Sequence, residues 1–136
     1  MGSKSGDPGQ VSTDLDEIRH QLLVLARRRR AHRTEWSKGM PTVWCPSQVV
    51  NPKCGEVFTE AAAWDYVASR LEAGEPLKEV PLEHPPGKKA FEMDIDLGQG
   101  GQRLYVKLQL GNGTIIGRSF HYSKKTPSRG ERRGGA

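Results

Sequence analysis

The 136-residue sequence lacks any apolar run long enough to span a bilayer, and it has no apolar segment near its N-terminus of the kind that a secretory signal needs. From these absences we expect a soluble cytoplasmic protein with no membrane partner. The length allows one domain with a buried core and is too short for two comfortable ones.

Cysteine is scarce, since Cys45 and Cys54 are the two in the chain and they do not form a C-x-x-C pair. The alternatives are a disulfide, half of a metal site that His84 would complete, or two free thiols in a loop. No second cysteine pair is present to build a zinc site, so the spacing favours free thiols. We expect no metal and no cofactor.

Apolar residues make up 35% of the sequence and are rare at both ends. We therefore expect a disordered leader over 1–13, a single domain over 14–123 and a disordered basic tail over 124–136. The net charge of +5 favours nucleic acid, an acidic protein or an anionic surface as the partner, without choosing between them.

Two stretches have the apolar spacing of amphipathic helices. The first should run from about Asp14 to Ala31, and the second should follow the N-cap Thr59 and stop at Gly74. The first stretch ends in four consecutive arginines, which are Arg27, Arg28, Arg29 and Arg30. These cations either complement the helix dipole or bind phosphates or a protein partner.

The stretch from Ala90 to Tyr122 alternates apolar and polar residues with a period of two, which is typical of strands with one buried face. Glycine-rich breaks at 98–101 and 111–113 predict hairpin turns, and residues 77–82 predict a short edge strand. The element order indicates an α+β fold, with two N-terminal helices packed on an antiparallel β-meander of three to four strands.

The polar face of the meander carries the candidate site, because Tyr105 and Lys107 must project from it when their apolar neighbours point inward. The simpler alternative is that Lys107 pairs with Glu92 or Asp94 on the adjacent strand. The candidate catalytic residues are Tyr105, Lys107, Arg118, Ser119 and His121.

The turn at 111–113 decides which residues of the last strand join this face. A three-residue loop sets Leu104 opposite Phe120 and brings Ser119 and His121 onto the polar face. A two-residue turn instead pairs Arg118 with Lys107 and turns Phe120 outward. We prefer the first register because it buries more apolar surface, although it points Arg118 inward.

The element order and the phrase LYVKLQL-GNG-TIIGRSFHYS resemble the small bacterial endoribonuclease toxins of the RelE and MqsR type, within the wider barnase and RelE-like assemblage. In that group helices precede an antiparallel sheet, and a Y-x-K strand is followed by a strand that ends in Ser-Phe-His. The resemblance covers about Lys89 to Ser123. It implies a RelE-like toxin of a toxin–antitoxin system, metal-independent cleavage of RNA, including ribosome-associated mRNA, and a cognate antitoxin as protein partner.

Such cleavage needs a base for the 2′-hydroxyl, an acid for the leaving 5′-oxygen and cations for the charge that develops at phosphorus. Lys107 and Arg118 can supply charge, and His121 and Tyr105 can exchange protons. The expected RNA-binding residues are Arg27, Arg28, Arg29, Arg30, Lys88, Lys89, Lys124 and Lys125.

Three carboxylates of the neighbouring strand, Glu92, Asp94 and Asp96, would repel phosphate, so we expect lysines to pair with them. The sequence leaves enzymatic activity open. A noncatalytic basic module that binds nucleic acid or an acidic protein is the alternative function, and a structural subunit is the third.

Overall fold

The computed structural model describes residues 8–98 and 101–123, and it describes only the backbone of 8–13. The predicted tail and most of the predicted leader lie outside the described residues. The helices and strands are α1 (Pro8–Ala26), β1 (His32–Arg33), β2 (Val43–Trp44), α2 (Glu60–Glu72), β3 (Lys78–Pro81), β4 (Lys89–Asp96), β5 (Arg103–Leu110) and β6 (Ile115–Tyr122).

All six strands form one sheet, in which β6, β5, β4 and β3 are successive antiparallel neighbours. The short strands β1 and β2 both pair with β6 in the parallel direction, with His32 opposite Ile115 and Val43 opposite Ser119. The predicted α+β class is confirmed, and the meander with its edge strand is present. The two parallel strands are additional to the prediction.

The first helix differs from its prediction at both ends, because α1 begins at Pro8 and ends at Ala26. The chain then tightens into a 3₁₀ turn over Arg29–Ala31, and the Arg28 amide bonds to the carbonyl of Leu25. Four successive arginines cover the circumference of a helix, so a longer α1 would have carried at least one of them over its apolar face.

The second helix forms as predicted. The Thr59 hydroxyl accepts a hydrogen bond from the Ala62 amide at 3.0 Å and so caps the helix. Gly74, at φ +88°, follows its end in a conformation that favours glycine. Trp64 on α2 is 1% exposed and belongs to the core, as its spacing predicts.

Both helices cover the same face of the sheet, which we call the helix face; the other is the open face. Trp44 of β2 also packs there, with its ring centroid 4.7 Å from that of Trp64 and 5.1 Å from that of Phe120. This packing requires Gly117 in β6, since a Cβ atom there would lie 2.5 Å from Cε3 of Trp44.

We expect Gly117→Ala to lower the free energy of unfolding by about 1–3 kcal/mol, because the rigid indole cannot yield without disturbing the ring stack. Urea unfolding followed by circular dichroism measures the change. Gly39→Ala is the matched control, since nothing lies within 4 Å of its added methyl group, and it should change stability by less than about 0.5 kcal/mol. Equal stabilities of the two variants would contradict the packing described for Trp44.

Candidate functional site

The hairpin between β5 and β6 begins in the register of a two-residue turn. Gln109 lies opposite Ile116, and the Gly111 amide donates to the Thr114 carbonyl at 2.8 Å. Gly113, at φ +73°, takes the left-handed conformation that such a turn needs. The preferred three-residue loop was therefore wrong.

Further along the hairpin, a β-bulge shifts the register by one residue. Leu108 still faces Gly117, whereas Lys107 faces Ser119, so Arg118 is the extra residue between them. The prediction that Ser119 and His121 share the face of Tyr105 and Lys107 is thus confirmed, but the bulge produces it rather than the loop. Phe120 faces Val106 instead of the expected Leu104.

Two rows of polar side chains consequently cross the open face. One row contains Lys78, Glu92, Lys107 and Ser119 on β3, β4, β5 and β6. The second row contains Asp94, Tyr105 and His121 on β4, β5 and β6. Because adjacent strands hold these side chains, their spacing is set by the sheet and not by a mobile loop.

Tyr105 joins the two rows. Its hydroxyl donates to Oε2 of Glu92 at 2.5 Å, and its ring centroid lies 5.4 Å from that of His121. Burial, and then the hydrogen bond to Glu92, raise the pKa of the Tyr105 phenol. Tyr105 therefore stays protonated at neutral pH and orients Glu92, and it does not serve as the base.

A cavity of about 450 Å³ opens beside these side chains, and we call it the open-face cavity. It is lined by Pro76, Leu77, Lys78, Glu92, Asp94, Tyr105, His121 and Ser123. It brings together a carboxylate, an imidazole and an ammonium group, which can accept a proton, donate one and stabilise an anion. Lys107 and Ser119 lie in the row that reaches Glu92 but do not line the cavity.

Arginine, and not lysine, neutralises the acids next to this cavity. Nε of Arg103 lies 3.1 Å from Oδ1 of Asp94, and its Nη1 lies 3.9 Å from Oδ2 of Asp96. The expected pairing of these acids with lysines was wrong, because Arg103 is the direct cross-strand partner of Asp96. Within residues 8–98 and 101–123, Lys107 forms no ion pair with Glu92 or Asp94.

Arg118 does not reach the cavity, so its predicted role as a cation of the site was wrong. It is 6% exposed, and its Nη1 donates to Oε1 of Gln109 at 2.7 Å. Its Nε donates to the Pro41 carbonyl at 2.9 Å, and its Nη2 donates to the His84 carbonyl at 2.8 Å. Burial lowers the pKa of this guanidinium, whose three nitrogens are all used to bind neutral acceptors.

The predicted RNA-binding residues do not gather at the open-face cavity. Arg27 pairs with Glu72, and Lys89 pairs with Glu79 at 3.2 Å. Arg28, Arg29, Arg30 and Lys88 are exposed, and none of them lines the cavity. Lys124 and Lys125 lie outside the described residues.

Sequence reasoning missed Glu92 and Lys78 as members of the site. The alternation of β4 predicts Glu92 on the polar face, where its charge is expected to repel phosphate. The pairing of Pro81 with Lys89 belongs to the register of β3 against β4, and this register places Lys78 opposite Glu92. The sequence predicted the short edge strand but contained no signal for its register against β4.

Cys45 is partly buried and Cys54 is exposed, and both are free thiols. Among residues 8–98 and 101–123 there is no group of three or more histidine, cysteine or acidic side chains arranged to hold a metal ion. In the same part of the chain, no helix has the length and apolarity needed to cross a membrane.

Comparisons with protein-family models, with curated proteins and with solved structures gave no match for this chain.

We expect Arg118→Met to lower the free energy of unfolding by about 1–3 kcal/mol, because the Gln109 amide and two carbonyls lose a charged donor. Thermal or urea unfolding measures this loss. Arg30→Met removes an exposed arginine and should change stability by less than about 0.5 kcal/mol. An Arg118→Met variant as stable as Arg30→Met would show that the three hydrogen bonds do not hold the loops.

Because the pKa of Tyr105 is raised on folding, its neutral phenol stabilises the fold below the ordinary tyrosine pKa of about 10, and this contribution is lost as the pH rises further. Ultraviolet titration should show that this phenol ionises late. Glu92→Gln removes the charge that opposes ionisation and should move the transition to lower pH. Tyr105→Phe should remove the transition of this phenol from the titration. Ionisation of Tyr105 near pH 10 would contradict the contact.

Proposed function

We propose that this chain is a metal-independent endoribonuclease of the toxin type, which cleaves RNA in the open-face cavity. The observation that carries the proposal is the placement of Glu92 and His121 on the two sides of Tyr105, in one cavity. A carboxylate and an imidazole together supply the base and the acid that the reaction needs.

In the proposed reaction, Glu92 accepts the proton of the 2′-hydroxyl as the 2′-oxygen forms a bond to phosphorus. The bond between phosphorus and the 5′-oxygen breaks, and protonated His121 donates a proton to that oxygen. The products are a 2′,3′-cyclic phosphate and a free 5′-hydroxyl. Tyr105 orients the carboxylate through its hydrogen bond and keeps its own proton.

Two lysines support this chemistry by charge. Lys78 lines the cavity, and Lys107 lies opposite Glu92 in the same row. Lys107 is free of carboxylates within ion-pair distance in the described part of the chain, so its charge remains for the phosphate. A preorganised cation beside the phosphorane lowers the barrier because no solvent must reorganise around the new charge.

We also propose that the fold is RelE-like and that a cognate antitoxin restrains the enzyme in the cytoplasm, where mRNA is the substrate. The order of two helices followed by the antiparallel strands β3 to β6 supports this assignment. The resemblance does not include the parallel strands β1 and β2.

The test is cleavage of a fluorogenic RNA by the purified chain in the presence of chelator. Glu92→Gln and His121→Ala should each lower the rate by on the order of a hundredfold, while RNA binding changes little. Lys78→Ala should lower it by a similar factor, because the ammonium group that lines the cavity is lost.

Matched controls separate these roles from general loss of charge. Glu79→Gln removes an exposed carboxylate on β3 that does not line the cavity, and His20→Ala removes an exposed imidazole on α1. Both should cleave at the rate of the original chain. RNA binding without cleavage under any condition would refute the proposal and favour the noncatalytic basic module.

A further inference from the structure

A second cavity lies on the helix face, at the end of α1. Its volume is about 410 Å³, and Arg29, His32, Trp64 and Asp65 are among the residues that line it. We call it the helix-face cavity. None of its residues lines the open-face cavity, so any ligand here would be bound by a separate set of groups.

Aromatic rings form one wall of the helix-face cavity. The imidazole of His32 stacks on Trp64 with a centroid distance of 4.1 Å and an interplanar angle of 15°, and Trp44 stacks at 4.7 Å. Nε2 of His32 lies 2.7 Å from the carbonyl of Ala26, which can only accept, so this nitrogen carries the proton. The imidazole is thus a fixed, half-buried platform at the end of a ring stack.

Cations lie beside that platform. Arg29 is exposed and lines the cavity, whereas Arg27, which also lines it, is already paired with Glu72. Arginine binds phosphate oxygens with two parallel hydrogen bonds, and its guanidinium also stacks on planar rings.

The two acids that line this cavity, Glu60 and Asp65, differ in their hydrogen-bond partners. Oε2 of Glu60 accepts N–H bonds from Trp44 at 3.2 Å and from Trp64 at 2.9 Å, so this carboxylate is engaged by the indoles. Asp65 is exposed and can accept hydrogen bonds from the amino group of a nucleobase.

We propose that the helix-face cavity binds a nucleoside 5′-monophosphate whose base carries an amino group. The phosphate lies on Arg29, the base stacks on His32, and Asp65 accepts from the amino group. Proteins hold single-stranded nucleic acid by combining aromatic stacking with positive charge, and the same two contacts are available here to one nucleotide. The site does not depend on RNA cleavage at the open face.

Calorimetric titration of the full chain with AMP, adenosine and inorganic phosphate tests the proposal. AMP should bind at least about tenfold more tightly than either adenosine or phosphate, because only AMP engages both the His32 ring and Arg29. Absence of binding by AMP, or equal affinity for AMP and phosphate, would overturn the nucleotide assignment.

The arginine run offers a matched pair of variants. Arg29→Gln removes a guanidinium from the cavity and should weaken AMP binding by about tenfold or more. Arg28→Gln removes the same charge from the adjacent exposed residue, which does not line the cavity, and should weaken binding by less than about threefold. Equal losses would reduce the effect to nonspecific attraction and overturn the proposal. Thermal melting confirms that both variants are folded.

The same chemistry can come from a free nucleotide or from a nucleotide within RNA. A non-cleavable 2′-O-methyl tri-adenylate with a 5′-phosphate separates these sources. If the trinucleotide binds with the same affinity as AMP, the ligand of the cavity is a free nucleotide or the end of a chain. If it binds much more tightly, and Arg29→Gln weakens that binding, the ligand is a longer strand.

Discussion

The side chain of Arg118 connects three parts of the chain that are distant in the sequence: β5 through Gln109, and two loops through the carbonyls of Pro41 and His84. A guanidinium this deeply buried loses much of its hydration, and the three hydrogen bonds offset that loss. The loops thereby cover the Gln109 end of the open face. The end that carries Tyr105 stays accessible, and the open-face cavity is there.

The bulge that accommodates Arg118 also determines which side chains share the open face. Without the extra residue, the two-residue turn would set Phe120 opposite Tyr105 and direct His121 to the helix face. With it, His121 returns to Tyr105, and the hydrogen bond from Tyr105 fixes Glu92 on the other side. One inserted residue therefore links the closure of one end of the face to the arrangement of Tyr105, Glu92 and His121 at the other.

Apolar periodicity predicted the three main strands and the body of α2, because these elements are long enough to show a repeating pattern. The cap Thr59 and the stop at Gly74 predicted the ends of α2. Periodicity did not predict β1 and β2, because two-residue strands are too short to have a period and depend on pairing with β6. The bulge was missed for a related reason: three tertiary hydrogen bonds of Arg118 stabilise it, and no local pattern encodes them. For the site, alternation identified the correct face, but only the contact with Tyr105 distinguishes Glu92 as the carboxylate that can act as a base.

Nuclear Overhauser contacts across the β5–β6 hairpin in solution test most directly whether this register forms the site. We expect contacts between the rings of Tyr105 and His121, whose centroids lie 5.4 Å apart, and backbone contacts between Lys107 and Ser119. Contacts that pair Tyr105 with Phe120 would show an uninterrupted hairpin without the bulge. That result would remove His121 from the open face and contradict the site.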